Sequence, residues 1–371
     1  MTDDTLRMLR DSAADFAKLD ALRVRRSRDT RPGFDRGVWQ EMADMGWLGI
    51  LIPESHEGMG LGMEAAVIIA EQLGRALYPE PYCASAVLAT LSLLHGDAEA
   101  LKQRLLPQLA TGTIVASLAW QDERGGLDQA QCGVRTREHA GKQVLEGKSR
   151  FVETPDADAF IVSARGARGL ELHWIARDAA GLSCTPEARA DGSASALLSF
   201  DQVTVSDATR IASAGCAAAA LGLALDHAAV AASAELLGVM DSALDLTLDY
   251  LRTRVQFGKP IGSFQALQHR AVDLYIQKEL SRAALDATSA VLADPACTRE
   301  QRAAAASSVK ARASQAALSI CNEALQMHGA IGFTDEYDLG LYFNRALVLS
   351  AWLGNASAHR LRYSSILEGT A

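Results

Sequence analysis

Two short stretches carry residue types that could hold a nucleotide. The first is Arg252-Thr-Arg-Val-Gln-Phe-Gly-Lys-Pro-Ile-Gly-Ser-Phe-Gln-Ala-Leu-Gln268. Arg254 can set a guanidinium against a phosphate, and Phe257 offers a planar ring on which a base can stack. Gly258, Pro260 and Gly262 punctuate a turn, and Ser263 reads as the N-cap of a following helix. The second stretch, Gln326-Met-His-Gly-Ala-Ile-Gly-Phe333, closes a long helical segment, and its glycines allow close approach to the backbone. By physics alone, both also read as ordinary helix connections. Other chemistry has less support. The eight histidines form no HExxH or HxxxH pair, so no metal site is expected. No GxSxG elbow supports a serine hydrolase. Gly58-Met-Gly-Leu-Gly62 follows Pro53 and meets no second strand before about residue 114, so it reads as a surface turn rather than a dinucleotide loop.

Composition narrows the class. The chain has 371 residues, enough for two or three domains and a large core. Its 36 Lys and Arg against 45 Asp and Glu give a net charge of −9, which argues against nucleic-acid phosphates as partners. The six cysteines are scattered without a CxxC pair, and the N-terminus lacks a secretory pattern, so a cytoplasmic location is expected. The charge-free runs at 81–96 and 211–225 are too short to cross a membrane, and no membrane partner is expected.

The elements that must position these residues fall into three blocks. Residues 1–113 show helical spacing, as in Trp39…Met42…Trp47-Leu48 and Ala65–Leu77. From 114 to 205 the period shortens. Ile114–Trp120, Val134–Glu138, Gln143–Val152, Phe160–Ala164, Glu171–Ala176 and Ala196–Val205 read as strands of an antiparallel barrel or sandwich. From 206 to 371 the helical period returns in long, Ala-rich stretches suited to a close-packed bundle.

Taken together, the chain resembles the acyl-CoA dehydrogenase family along nearly its whole length. The resemblance rests on Met45-Gly-Trp-Leu-Gly-Ile…Pro53…Gly58-Met-Gly-Leu-Gly, Phe200-Asp-Gln-Val-Thr-Val, Arg254-x-Gln-Phe-Gly-Lys-Pro-Ile…Phe264-Gln and Gln326-x-x-Gly-x-x-Gly-Phe. It implies an α+β, mainly α fold: an N-terminal helical domain, a middle antiparallel β domain and a C-terminal four-helix bundle that oligomerises. It also implies FAD as cofactor, acyl-CoA as substrate and an electron-transferring flavoprotein as a candidate acceptor. In that family the flavin lies between subunits, its adenosine end gripped by a neighbour. The gripping positions correspond here to Arg254, Gln256, Phe257, Phe264, Gln265, Gln326 and Gly329.

The catalytic positions depart from the family. Dehydrogenation needs a carboxylate to take the α proton while the β hydrogen leaves as hydride. The two usual base positions are Leu353 and Ala228, with Ala229 where the family has a substrate-holding arginine. Glu368-Gly369-Thr370 imitates the missing motif but lies 15 residues late. Gln121 and Leu127 replace a Thr and a Ser that line flavin and CoA, and Arg150 and Val152 replace an aromatic lid and a hydroxyl donor. The expectation is therefore a subunit without its own base. It would complete the FAD site of a homologous subunit carrying the catalytic Glu in an α2β2 heterotetramer, acting on a bulky or steroid-derived acyl-CoA. The competing readings are a homotetrameric dehydrogenase with Asp226 or Glu235 as base, a flavin monooxygenase on the same fold, and an assembly partner that binds no ligand.

Overall fold

The structure, a computed structural model, describes residues 3–28, 30 and 33–369. Six helices come first: α1 (Asp3–Phe16), α2 (Ala21–Ser27), α3 (Arg36–Asp44), α4 (Met63–Arg75), α5 (Thr90–Leu94) and α6 (Glu99–Ala110). Just before α5, Tyr82–Ala89 forms a fully buried π-helical stretch. The glycine turn at 58–62 folds back on 49–52 through backbone bonds from Met59, Gly60 and Leu61. A side chain at Gly58 would meet the Ile52 carbonyl oxygen at 2.0 Å, so this glycine serves local packing.

Eight strands follow: β1 (Ala116–Ala119), β2 (Val134–His139), β3 (Lys142–Glu153), β4 (Ala159–Gly166), β5 (Gly169–Ala176), β6 (Leu182–Ala188), β7 (Ala194–Val205) and β8 (Arg210–Ala212). They form one sheet in the order β6-β7-β3-β2-β4-β5-β8, with β1 also on β4. Pairing is antiparallel except where β1 and β2 run parallel to β4. The register of β3 against β7 slips between Ser149 and Val152, so Arg150 and Phe151 form a bulge.

The helical period resumes in α7 (Ala217–Thr253), followed by a two-residue hairpin of β9 (Val255–Gln256) and β10 (Lys259–Pro260). Then come α8 (Gln265–Ala293), α9 (Arg299–His328), α10 (Leu339–Ala351) and α11 (Ala356–Leu367). α9 packs against α8, α10 and α11. Its start is fixed by a capping box, with Thr298 accepting from the Gln301 N–H and Gln301 from the Thr298 N–H. Buried alanines at 303, 306, 313, 316, 317 and 324 keep its neighbours close. α8 has no side-chain cap. Ser263, expected to cap it, instead sits in a 3-10 turn and donates its hydroxyl to Pro260 O at 2.7 Å. α7 is long and apolar enough by composition to cross a membrane, although short charge-free runs argued otherwise; 78% of its apolar window is buried inside the protein.

The chain separates into two compact units. Unit 1 holds residues 1–25, 67–78 and 229–371; unit 2 holds 26–66 and 79–228. The nucleotide motifs and Leu353 lie in unit 1. The sheet, with Gln121 and Arg150, lies in unit 2.

Candidate cofactor site

In unit 1 the motif after α7 forms a short, largely exposed hairpin arm. Gln256 pairs with Lys259 and Val255 with Pro260, leaving Phe257 and Gly258 as the turn. Both turn residues have positive φ, 54° and 79°, as a type I′ turn demands. Gly258 adopts this freely. Phe257 is a bulky residue in a conformation that costs on the order of 1–3 kcal/mol. Its ring gains no burial in return within the chain, being 92% exposed. The Phe264 ring stands edge-on to it at 6.1 Å, and Lys259 Nζ lies 4.4 Å from the Phe264 centroid. The arm is closed at its base by Ile261 N donating to Arg254 O at 2.8 Å. The Arg254 side chain is exposed and has no ion-pair partner among the described residues. Among the described residues Gln256 makes only a local bond to Val255 O, and Gln265 opens α8 at the surface.

The second motif ends α9. Gly329 caps the helix at φ 65° and ψ −141°, a region left to glycine, and a Cβ there would meet nothing within 4 Å. Gln326 lines a cavity of about 610 Å³ with Asn322, Glu323, Phe333 and Asn344. A support that sequence reading missed fixes this turn. The His328 ring stacks on Tyr250 at 4.4 Å, with Nδ1 on Ala324 O at 2.8 Å and Nε2 on Tyr337 OH at 3.1 Å. Burial pushes the His328 pKa down, so the ring is neutral near pH 7, with Nδ1 donating and Tyr337 donating to Nε2. Only the His–Gly spacing of the motif hinted at it.

The positions expected to hold a base are hydrocarbon and enclosed. Ala228 and Ala229 are buried on α7. Leu353, 4% exposed, occupies a left-handed turn (φ 58°) between α10 and α11. Two buried groups hold that turn. Lys310 Nζ donates to Leu349 O, Gly354 O and Ser314 Oγ at 2.9, 3.1 and 3.0 Å and lies 3.3 Å from Ser350 O. His359 Nε2 donates to Leu353 O at 2.9 Å. Burial, reinforced by the Lys310 charge, pushes His359 down to about 3. Burial alone pushes Lys310 to about 7, while four oxygen acceptors surround the ammonium and favour its charged form.

The alternative bases are no better placed. Glu235 is buried and held by the Arg345 fork, Nε to Oε1 at 2.8 Å. Asp226 is 1% exposed on α7. Glu368 is exposed beyond α11 and accepts from Ser364, while Thr370 lies outside the described residues.

In unit 2 the residues at the expected flavin-ring positions satisfy one another. Gln121 Nε2 donates to Gly126 O at 2.7 Å, and Gln121 O accepts from Ser149 Oγ at 2.8 Å and Arg150 N at 3.2 Å. Arg150 reaches across β7 to Glu187 on β6, Nε at 3.0 Å from both carboxylate oxygens. These groups do not fit an isoalloxazine, which needs open donors and a flat neighbour. The unit 1 arm does fit the adenosine end, offering an exposed guanidinium, an exposed ring and an open glycine.

Residues 3–113 match the acyl-CoA dehydrogenase N-terminal domain, and residues 214–366 match the acyl-CoA dehydrogenase C-terminal domain. The chain belongs to the acyl-CoA dehydrogenase family. The acyl-CoA dehydrogenase IpdE2 of Mycobacterium tuberculosis is 30% identical over 345 residues, covering 91% of this chain and 90% of that protein. Among solved structures, the Tcur3481-Tcur3483 steroid ACAD superposes with a TM-score of 0.88 at 30% identity, covering 99% of this chain and 98% of that one. The ChsE4-ChsE5 complex of Mycobacterium tuberculosis gives 0.89 at 26% identity, covering 100% and 99%. The fold is that of acyl-CoA dehydrogenases, and family membership implies FAD.

Proposed function

We propose that this chain is the base-less subunit of an FAD-dependent acyl-CoA dehydrogenase. In this reading it assembles as α2β2 with a homologous subunit that carries the catalytic Glu, and it completes that subunit's FAD site. One observation carries the reading: Arg254 and Phe257 are exposed, Arg254 without an ion-pair partner among the described residues, while both base positions, Leu353 and Ala228, are buried hydrocarbon. Bound FAD would supply the hydride acceptor for α,β-dehydrogenation. Arg254 would bind a phosphate by a charge-assisted contact, and Phe257 and Phe264 would cover the adenosine. Gln256, Gln265 and Gln326 would supply amide hydrogen bonds, and Gly329 would let the ligand reach the backbone. The α proton would pass to the partner's carboxylate, since no group at 353 or 228 can accept it.

Two relatives named as pairs of chains support the heteromer, and one of them, a steroid ACAD, supports a bulky, steroid-derived acyl-CoA as substrate. We assign a cytoplasmic location and an electron-transferring flavoprotein as acceptor within the same reading. The pairing of Glu235 with Arg345 speaks against an autonomous base, and the self-satisfied Gln121 and Arg150 against a monooxygenase holding its own flavin. The test is a flavin count. Purified alone the chain should carry little flavin; coexpressed with the homologous subunit it should give a yellow complex with about half a flavin per chain. One flavin per chain in the chain alone would refute the proposal.

A further inference from the structure

The misfit in unit 2 has an active cause. We infer that Arg150, Glu187 and Phe151 form an internal latch that closes this chain's own flavin-ring surface; the inference rests on the half-site reading above. Three features hold the latch. The first is the ion pair, in which Arg150 Nε faces both Glu187 oxygens at 3.0 Å and a terminal guanidinium nitrogen lies 2.8 Å from Oε1. Such a fork fixes the plane of the guanidinium as well as its charge. It spans two strand-to-strand steps, from β3 over β7 to β6, so sheet register sets it.

The second is the bulge. Phe151 sits at φ 60°, a strained value for an aromatic residue, which persists only where neighbours determine it. Its ring lies 5.2 Å from the Arg150 guanidinium carbon, and its edge would be 3.3 Å from a Cβ on Gly125. The ring therefore covers the loop that the resemblance places beside the flavin. The third is the loop itself. Asp122 Oδ1 accepts from Arg124 N at 2.8 Å and Gly125 N at 3.1 Å, and the Gln121 amide donates to Gly126 O. The donors at 121–125 and 149–150 named here are spent inside unit 2. A planar heteroaromatic ligand would have to break the fork and turn the bulge, where an unlatched surface would receive it directly. The latch thus makes the loss of flavin on this side a built property, beyond the absence of a few favourable contacts.

The experiment measures flavin per chain in the coexpressed complex for the native protein, Glu187→Ala and Arg150→Ala, and for the charge reversal Arg150→Glu with Glu187→Arg. Each single substitution should raise flavin from about half to nearly one per chain, and the reversal, which rebuilds the pair, should return it to about half. Hydrogen exchange over residues 121–128 should quicken in the singles and slow again in the reversal. Where a single variant does not assemble, Glu187→Gln removes the charge at nearly constant shape and carries the same expectation. Native and single variants all at half a flavin would overturn the latch while leaving the half-site reading intact. A native complex already at one flavin per chain would overturn the half-site reading and the latch with it.

Discussion

At Arg254 an exposed guanidinium, without an ion-pair partner among the described residues, stands next to a strained aromatic turn. Phe257 occupies a position where Gly or Asn would be comfortable, and its ring remains exposed. Arg254→Ala should therefore leave the thermal midpoint of the isolated chain unchanged and weaken FAD retention in the coexpressed complex. A hydrogen bond to a charged group contributes about 1.5–3 kcal/mol, so the dissociation constant should rise roughly 10- to 150-fold. Titration of deflavinated complex with FAD measures it, and unchanged affinity would remove Arg254 from the site. The residue types of this arm were legible because turn glycines and a lone Arg-x-Gln-Phe run stand out locally. The strain at Phe257 was not, because the sequence does not fix the φ of a non-glycine turn residue. The Arg150–Glu187 pair was equally hidden, since its partners lie 37 residues apart and meet only through sheet register.

Among the elements, α10 ends on a buried cation. The carbonyls of Leu349 and Gly354 have Lys310 Nζ at 2.9 and 3.1 Å, and Ser350 O lies 3.3 Å away. Helix ends leave such carbonyls without intrahelical donors, so Lys310 acts as a C-cap delivered from α9. Lys310→Met would keep the stem and strip the donors. Each buried acceptor left unsatisfied costs about 1–3 kcal/mol, offset in part by removing a buried charge, so a net loss of roughly 2–4 kcal/mol is expected. Chemical denaturation of the complex would show it, and a neutral result would mean that water replaces the ammonium. Nothing in the sequence distinguished Lys310 from a surface lysine, because its burial depends on what α10 and α11 bring over it. By contrast the return to helix after 206 was legible from hydrophobic period, and α7 to α11 fill that stretch. β6 escaped notice because its side chains are mostly exposed and it contains Pro186, which an edge strand tolerates; β8 is only three residues long.

For the whole molecule, buried imidazoles tie stability to pH. Burial lowers the folded-state pKa of both His328 and His359, the latter to about 3 with help from Lys310 and Arg362. A histidine whose folded pKa is depressed stabilises the fold fully above its unfolded value near 6.5. That contribution is lost as pH falls, because the unfolded chain takes up a proton that the folded chain refuses. His359 alone should thus cost about 1.4 kcal/mol per pH unit below 6.5, or roughly 2 kcal/mol at pH 5. Denaturation midpoints from pH 7.5 to 5 should fall accordingly, and His359→Gln should remove about one proton from the slope. An unchanged slope in that variant would show that His359 titrates normally.

The remaining molecular property is the surface the proposed assembly must cover. Val272, Ile276 and Leu280 follow one another at four-residue spacing on α8, exposed by 55, 46 and 51%, with Tyr275 beside them at 52%. A stripe with that period on one helix face is what a partner helix buries, and an acidic chain of this size gains nothing by leaving it in water. Full burial of a Leu or Ile side chain contributes about 1.5–3 kcal/mol, and a buried unpaired charge costs more than that gain. Ile276→Lys combined with Leu280→Lys should therefore leave helix content and the thermal midpoint of the isolated chain intact, since neither side chain is buried within it. The same pair of changes should abolish copurification with the homologous subunit and, with it, the flavin bound to the complex. Size-exclusion chromatography of the coexpressed proteins decides the point: an intact yellow complex would mean that α8 faces solvent in the assembly and that the subunits meet elsewhere.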